Sequence, residues 1–189
     1  MNQKPLLVMF IGVPGSGKSF FARQLAEQIH GVRLSGDAMR LAIFGSIEAI
    51  DAVYHSPQRQ HVNTYTFGAI DYVTDQLLAS GVSVIIDAIH SKRSDREKQE
   101  EIARRHDAKT VLVHIKTGYE TALARGQQRE VFADQRQFDE AKMREVIAQF
   151  EASLEPPDNN ESCVIISGEL PFAEQLELFN QAVAKTTHV

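Results

Sequence analysis

The sequence is poor in cysteine and has no long apolar run. Its 189 residues contain one cysteine, Cys163, and no tryptophan. A single cysteine cannot form a disulfide within the chain or build a cysteine-based zinc site, so we expect a reducing, cytoplasmic environment. No apolar stretch approaches the roughly 20 residues that a membrane-spanning helix needs, and no small-residue cleavage site follows the short apolar stretch near the start. These absences argue against a membrane protein and against a secreted one.

An excess of positive charge is also missing. The formal net charge is −5, whereas proteins that coat long nucleic acids are usually basic. A local basic groove could still grip one end of a strand or a small phosphorylated metabolite. Hydrophobic residues make up 43% of the chain and charged residues 24%, which is typical of a packed globular protein. The length predicts a single domain over residues 1–189, since domains commonly have roughly 100–200 residues.

Short apolar segments alternate with amphipathic helices along the chain. Five segments have the length and apolar character of buried strands: 6–11, 32–34, 82–86, 110–115 and 164–166. Helices are predicted at 19–29, in the region up to 79, and at 95–105, 119–129, 140–153 and from 172 onward. Asp139 is a predicted N-cap, and Ser94 with Glu97 forms a predicted capping box. Strands that are apolar on both faces and alternate with helices predict a parallel sheet covered on both sides.

The segment directly after the first strand has a phosphate-binding pattern. Residues 12–19 read GVPGSGKS, which satisfies GxxxxGK[ST] between a strand and a helix. The glycines let backbone N–H groups surround phosphates, and the helix N-terminus adds partial positive charge. We expect Lys18, at a solvent-facing site, to reach the outer phosphates of ATP and Ser19 to ligate Mg²⁺. The predicted ATP contacts in this loop are Gly12, Gly15, Ser16, Gly17, Lys18 and Ser19.

Motifs of other nucleotide-dependent classes are missing. Asp87 follows the apolar run Val84-Ile85-Ile86, but Ala88 stands where many ATPase motors carry a glutamate that activates water. The same stretch does not give the DxxG motif of GTPases, and NKxD occurs nowhere. These absences disfavour a hydrolytic motor and a guanine switch, and they favour phosphoryl transfer to a bound acceptor.

Two aspartates are predicted at the carboxyl edge of the sheet, where open α/β sheets build their sites. Asp37 follows the second strand and is the candidate base for the proton of an acceptor hydroxyl. It could also cap a helix beginning at Ala38, and the two roles can coexist. Asp87 closes the next core strand and could hold Mg²⁺ or orient the acceptor. A carboxylate there needs a cationic partner or a wet cleft, because burial otherwise penalises its charge.

Several basic residues are candidates for contacts with phosphates and acceptor. Arg125 and Arg129 lie four residues apart on one predicted helix face, at the start of a polar lid at about 125–137. They could stabilise charge on the transferred group, or simply stabilise a helix C-terminus. On the acceptor side, the candidates are Arg40, Arg59 and His90. A basic cluster of Lys92, Arg93 and Arg96 could receive an acidic substrate or form an ordinary solvated helix start.

Together these residues make the chain similar to the P-loop kinases related to polynucleotide 5′-hydroxyl kinases, zeta-toxin-like kinases and gluconate or adenylylsulfate kinases, often grouped as AAA-like ATP-binding kinases. The resemblance rests on GVPGSGKS, on Ser35-Gly36-Asp37 followed by Arg40, on the strand ending at Asp87, and on the segment 120–129. It implies a three-layer P-loop fold with five parallel strands in the order 2-3-1-4-5, Asp37 as base, and Arg125 and Arg129 in the lid. One departure is His90, which stands where polynucleotide kinases carry an asparagine.

The sequence therefore predicts an ATP- and Mg²⁺-dependent kinase. The acceptor is either a polynucleotide 5′-hydroxyl or a small metabolite hydroxyl. Both stay open, because the net charge disfavours a polynucleotide whereas the resemblance favours one. The alternative is a nucleotide-binding regulatory or interaction protein without an acceptor. No obligate protein partner is evident from the sequence.

Overall fold

Five parallel strands form one sheet in the computed structural model, which describes residues 4–127, 139–158 and 160–185. The strands are β1 Leu6–Ile11, β2 Val32–Ser35, β3 Val84–Ile89, β4 Lys109–Lys116 and β5 Cys163–Ser167. They are hydrogen-bonded in the order β2-β3-β1-β4-β5, and every neighbouring pair is parallel. The predicted parallel sheet and its strand order are therefore confirmed.

Helices cover both faces of this sheet. The helices in the described residues are α1 Lys18–Gln28, α2 Gly36–Phe44, α3 Ile47–Tyr54, α4 Arg59–Ala79, α5 Arg93–Arg105, α6 Tyr119–Gln127, α7 Glu140–Ser153 and α8 Phe172–Lys185. Val8 and Phe10 of β1 pack in a cluster with α1 and α8, whereas Leu7 packs with α4 and α5, and Met9 with α7. This alternation follows from the two-residue period of a strand and gives the predicted three layers. In the part of the chain that the structure describes, no helix combines the length and apolar character that crossing a membrane requires.

Strand β3 lies further along the chain than the sequence pattern predicts. The expected segment was 82–86, but the observed strand is Val84–Ile89. Val82 still belongs to the turn after α4, where its N–H donates to the Leu77 carbonyl at 3.0 Å. Asp87 therefore lies inside the strand, beside Ser35 of β2 in the parallel register. The expectation that Asp87 ends the strand was wrong by two residues.

The two helix starts predicted from capping patterns have different outcomes. Asp139 caps α7 as expected, because its Oδ1 accepts a hydrogen bond from the Lys142 N–H at 2.7 Å. The capping box of Ser94 and Glu97 is wrong, since α5 already begins at Arg93. The first N–H of α5 instead donates to a carboxylate distant in sequence, that of Glu155, at 2.7 Å. A side chain 62 residues away thus takes the place of a local cap.

Candidate functional site

The predicted phosphate-binding loop connects β1 to α1 and rests directly on neighbouring backbone. Gly15 has a φ of +81°, and a Cβ there would lie 2.0 Å from the carbonyl oxygen of Ala122 in α6. Gly12 approaches the end of β4 similarly, since a Cβ would lie 2.5 Å from the Ile115 carbonyl oxygen. Only glycine fits these two contacts, because any side chain would displace α6 or β4. The glycines thus let the loop lie against both elements.

Lys18 folds back onto this loop. Its Nζ donates to the carbonyl oxygens of Gly12 at 2.8 Å and Val13 at 2.7 Å, and it lies 3.4 Å from Ser16 Oγ. Lys18 is only 8% exposed, so the expectation of a solvent-facing lysine was wrong. Ser16 is fully buried, and its carbonyl accepts a hydrogen bond from Thr117 Oγ1 at 2.8 Å. The ammonium therefore lies within the loop and closes its first turn.

The N-terminus of α1 has no side-chain cap. Its N-cap residue is Gly17, which has no side chain to accept from the first N–H groups of the helix. These groups, together with the helix dipole, favour an anion at this end of α1. The loop and helix start therefore fit a phosphate group in both shape and charge.

Ser19, Asp87 and Arg33 form a connected group beside the loop. Ser19 Oγ donates to Asp87 Oδ1 at 3.0 Å, which brings together the two residues predicted to bind Mg²⁺. Arg33 holds the other carboxylate oxygen, with Nε at 2.9 Å and Nη2 at 2.5 Å from Asp87 Oδ2. The Asp87 side chain is 5% exposed. Arg33 is thus the cationic partner that a carboxylate at this depth requires.

This donor set fits a magnesium ion only in part. A hydroxyl and a carboxylate oxygen are ligands that Mg²⁺ accepts, and Ser19 and Asp87 supply one of each. Among the described residues, no group of three or more His, Cys, Asp or Glu side chains is arranged to hold a metal. The remaining ligands would therefore come from phosphate oxygens and water, which is usual for magnesium at a phosphate site.

Asp37 is the second residue of α2, directly beyond the end of β2, and does not cap this helix. Helix α2 begins at Gly36, and Ser35 Oγ accepts from the Ala38 N–H at 3.2 Å, so the capping alternative for Asp37 was wrong. Asp37 Oδ1 instead accepts from Arg40 Nη1 at 2.9 Å. Its side chain is 38% exposed. The carboxylate is thus held from one side and open to solvent on another.

Arg40 links Asp37 to helix α4. Its Nη2 donates to Asn63 Oδ1 at 3.2 Å, and its guanidinium lies 5.9 Å from the centre of the Phe67 ring. Arg40 and Asp37 were both predicted to face the acceptor, and the structure brings them into contact. Arg59, also predicted there, is an exposed residue at the start of α4.

The predicted lid falls mostly outside the described residues. Arg125, its first residue, lies near the phosphate-binding loop, because its Nη1 donates to the Gly168 carbonyl at 2.7 Å and is 3.8 Å from the position of a Cβ on Gly17. Arg129 and the remainder of the predicted lid, 128–137, lie outside the residues that the structure describes. Their predicted roles stay predictions.

The basic cluster at the start of α5 is paired with acidic side chains of the same chain. Lys92 contacts Glu155 at 3.3 Å, and Arg96, which is fully buried, binds Glu161 through Nε at 2.5 Å and Nη2 at 3.1 Å. Arg93 contacts Glu97, Asp158 and Glu161. Because these ion pairs already compensate the charges of the cluster, they disfavour the alternative that it receives an acidic substrate. The cluster ties the start of α5 to the segment before β5.

His90 lies in the interior rather than in an open loop. It directly follows β3, its backbone N–H donates to the Phe10 carbonyl at 2.9 Å, and the residue is 2% exposed. Burial lowers the pKa of its imidazole to about 4. The side chain is therefore neutral at physiological pH and offers hydrogen bonds rather than positive charge.

Arg33 is the site residue that the sequence analysis missed. It is the single charged residue within the four residues of β2, VRLS, and lies beside Ile85 of β3, two register positions before the pair Ser35–Asp87. A charged side chain inside a short core strand was the available signal. Its partner, 54 residues away, was not readable from local pattern.

Comparisons with known proteins agree with this geometry. Residues 7–157 match a family model described as an AAA domain. A tRNA dimethylallyltransferase from Azorhizobium caulinodans is 28% identical over 92 residues, or 49% of this chain, and the chain spans 29% of that enzyme's length.

Solved structures share the fold over nearly the whole chain. A sugar kinase from Janibacter sp. HTCC2649 has a TM-score of 0.68 at 19% identity, covering 96% of this chain and 95% of its own. Mycobacterium tuberculosis APS kinase CysC, solved with AMPPNP and APS, has a TM-score of 0.65 at 15% identity, covering 96% and 98%. Chaetomium thermophilum Kti12, solved with ADP-AlF3, has a TM-score of 0.67 at 18% identity, covering 94% and 96%. Because the family match includes most of the sheet and the loop at its centre, the chain belongs to this AAA-domain family and has the fold of the P-loop kinases.

Proposed function

We propose that this protein is an ATP-dependent phosphotransferase that moves the γ-phosphate to a hydroxyl group of an acceptor. One observation carries the proposal. The Ser19 hydroxyl and the Asp87 carboxylate meet at 3.0 Å beside the start of α1, which has no side-chain cap. A second carboxylate, that of Asp37, is 38% exposed and lies in the first turn of α2, directly after the neighbouring strand β2. This arrangement supplies one place for phosphates and another for a proton acceptor.

The loop and its neighbours would hold the triphosphate. Phosphate oxygens would replace the carbonyls of Gly12 and Val13 as partners of the Lys18 ammonium, which is placed within the loop to make that exchange. Mg²⁺ held by Ser19 and Asp87 would neutralise phosphate charge. Arg125, already beside Gly17, would add a guanidinium near the same phosphates.

Asp37 would act on the acceptor. The acceptor oxygen would attack the γ-phosphorus, the bond from that phosphorus to the bridging oxygen would break, and ADP would leave with the electron pair of that bond. The proton of the acceptor hydroxyl would pass to the Asp37 carboxylate. Arg40 orients this carboxylate through its 2.9 Å hydrogen bond.

Charge at this edge favours a small acceptor over a polynucleotide. A groove for a phosphodiester strand needs basic side chains that are available to phosphates. Arg33 and Arg40 are instead paired with Asp87 and Asp37. The basic residues at the start of α5, which are Lys92, Arg93 and Arg96, are likewise paired with acidic side chains. We therefore favour a metabolite hydroxyl as the acceptor.

The test is single-turnover transfer from γ-labelled ATP to a panel of hydroxyl metabolites and to a 5′-hydroxyl oligonucleotide. Transfer to a metabolite supports the proposal, and transfer to the oligonucleotide alone would overturn the acceptor preference. Asp37→Asn should leave ATP affinity unchanged while slowing transfer by about two to four orders of magnitude. Asp107→Asn is a matched control, because Asp107 is an exposed aspartate just before β4, at the opposite edge of the sheet. ATP binding without transfer to any acceptor would favour the regulatory alternative.

A further inference from the structure

A small polar cavity lies beyond the carboxyl end of β3. Its volume is about 50 Å³, and its inner wall is formed by Phe67, Asp71, Ile89, His90 and Gln99. Asp95 and Lys98 complete the lining from exposed positions on α5. A space of this size holds a hydroxymethyl group or one to two waters, but not a whole sugar or nucleotide.

Three buried polar atoms of the lining residues have no hydrogen-bond partner among the described residues, and one of them, Asp71 Oδ2, is ion-paired with Lys98. The other two are Nδ1 of His90 and Oε1 of Gln99, whose residues are 2% and 3% exposed. Buried polar atoms are normally paired, so an unfilled pair at one cavity indicates a place for a polar group from outside the chain. His90 and Gln99 come from different elements, the end of β3 and the helix α5.

The chemistry of Gln99 restricts what can bind. Its Nε2 donates to Asp71 Oδ1 at 2.5 Å, and because a carboxylate only accepts, the amide oxygen must be the atom left over. An amide oxygen accepts hydrogen bonds, so the incoming group must donate one. A hydroxyl satisfies both atoms in one arrangement: it donates its proton to Gln99 Oε1 and accepts from His90 Nδ1, in the tautomer that carries the imidazole proton on Nδ1. A fully ionised phosphate oxygen cannot donate to Gln99.

The charges around the cavity also disfavour an anion. Asp71 is paired with Lys98, which leaves the Asp95 carboxylate as the remaining charge in the lining. The nearby Arg96 guanidinium is directed to Glu161 and to the carbonyls of His90 and Ser91. A neutral hydroxyl therefore fits this environment better than a phosphate or a carboxylate does.

The cavity is connected to the candidate base through two side chains. Phe67, which lines the cavity, lies against the guanidinium of Arg40, and Arg40 holds Asp37. Ile89, also in the lining, is two residues beyond Asp87 on β3. An acceptor that uses both places would have one hydroxyl at Asp37 and a second at His90.

We propose that this cavity is a subsite for a second hydroxyl group of the acceptor, and that the acceptor is a compact, neutral, polyhydroxylated molecule. This inference rests on the proposed phosphotransfer for its place in a reaction. The binding of a hydroxyl to His90 and Gln99 can be measured independently of transfer.

The kinetic test uses glycerol, erythritol, xylitol and D-glucose as acceptors, with a 5′-hydroxyl oligothymidylate for comparison. For the best of these polyols, Gln99→Met should raise KM by about 10-fold or more with little change in kcat, since it removes the amide oxygen and keeps the length of the side chain. With the wild-type protein, the analogue of that polyol that lacks one hydroxyl should have a KM that is higher by a similar factor. With Gln99→Met, the loss of this hydroxyl should raise KM little further. Affinity for ATP should not change.

Gln175→Met is the matched control. Gln175 is also a buried glutamine with an unpartnered Oε1, but it lies on α8, outside the lining of this cavity, and its Nε2 donates to the Ser167 carbonyl at 3.0 Å. It should leave the polyol KM unchanged. Equal effects of the two variants, or phosphorylation of the oligothymidylate alone, would overturn the subsite.

A binding experiment separates this inference from the proposed function. We would record the imidazole NMR signals of the ¹⁵N-histidine-labelled protein with AMPPNP and Mg²⁺, and assign the His90 signal with His90→Gln. A polyol that shifts this signal in the wild type and not in Gln99→Met supports the subsite, even if no transfer occurs and the proposed function fails. If no polyol on the panel shifts it, the cavity holds only water and the subsite is refuted, even if phosphotransfer is found.

Discussion

Gly15 offers the sharpest test of how the phosphate-binding loop is built. Its φ of +81° is nearly that of Gly45, at +84°, in the connection between α2 and α3. A Cβ at Gly45 would have no heavy atom within 4 Å, whereas a Cβ at Gly15 would lie 2.0 Å from the Ala122 carbonyl oxygen. The change to alanine therefore meets a similar positive φ at both positions and a steric clash at only one.

The expected difference follows from these geometries. Holding an alanine at a φ near +80° costs about 1–3 kcal/mol, and Gly45→Ala should lose no more than that. Gly15→Ala also creates a clash that the backbone of α6 must relieve by moving, and overpacking of this kind costs a further ~1–3 kcal/mol. Gly15→Ala should thus be about 2–6 kcal/mol less stable than the wild type. It should also bind ATP weakly, because α6 is displaced from the loop.

Urea unfolding at pH 7 gives the two free energies, and titration with a fluorescent ATP analogue gives the affinities. Gly45→Ala should keep wild-type affinity, since Gly45 lies outside the loop. Equal unfolding free energies for the two variants, to within about 0.5 kcal/mol, would show that α6 does not press on Gly15. The packing argument for the loop would then be refuted.

Three further predictions concern buried ionisable side chains. Arg33→Met leaves the Asp87 carboxylate without a cation and should lower the free energy of unfolding by about 2–4 kcal/mol, measured by urea unfolding. The double variant Arg33→Met/Asp87→Asn should recover most of that loss, and additive losses of the two single variants would contradict the pairing. Lys18→Met should weaken ATP binding by about 100-fold or more in the same titration. It should also lower the free energy of unfolding by about 1–2 kcal/mol, because the carbonyls of Gly12 and Val13 lose their hydrogen-bond donor. An unchanged free energy of unfolding would contradict these two hydrogen bonds. Burial lowers the pKa of His90 from 6.5 to about 4 in the folded protein. The fold therefore has its full stability from this residue above pH 6.5, and up to about 3 kcal/mol of the free energy of unfolding is lost as the pH falls from 6.5 to 4. The difference in unfolding free energy between wild type and His90→Gln should change over that window, and a constant difference would refute the assignment.

Local pattern was sufficient for the parts of the fold that depend on neighbouring residues. The strand Leu6–Ile11 was predicted with its observed bounds, because an apolar run followed by a glycine-rich turn has few other structures available. The N-cap Asp139 was predicted because capping joins residues three apart. The strand order came from the resemblance to P-loop kinases, since apolar runs alone do not determine which strands pair.

The errors about the start of α5 share one physical cause, which is pairing between residues that are far apart in sequence. Lys92 and Arg93 look available in a sequence, but Glu155 contacts both from more than 60 residues away. The buried pair of Arg96 and Glu161 spans 65 residues. Composition shows that acidic residues exist to compensate these charges, but only the folded chain shows which of them do so. A prediction of substrate contacts from basic residues alone therefore overstates the available positive charge.

The two aspartates at the carboxyl edge have different surroundings, although they are the same residue type. Asp87 is 5% exposed and is held by Arg33 and Ser19, so both of its oxygens have partners within the protein. Asp37 is 38% exposed and has a single hydrogen-bond partner, Arg40, in the described residues. A carboxylate that a paired arginine keeps ionised and a hydroxyl keeps in place suits a charged ligand, whereas one with an open oxygen suits a proton taken from a substrate. Exposure and partners, rather than residue identity, therefore support assigning the metal to one aspartate and the acceptor to the other.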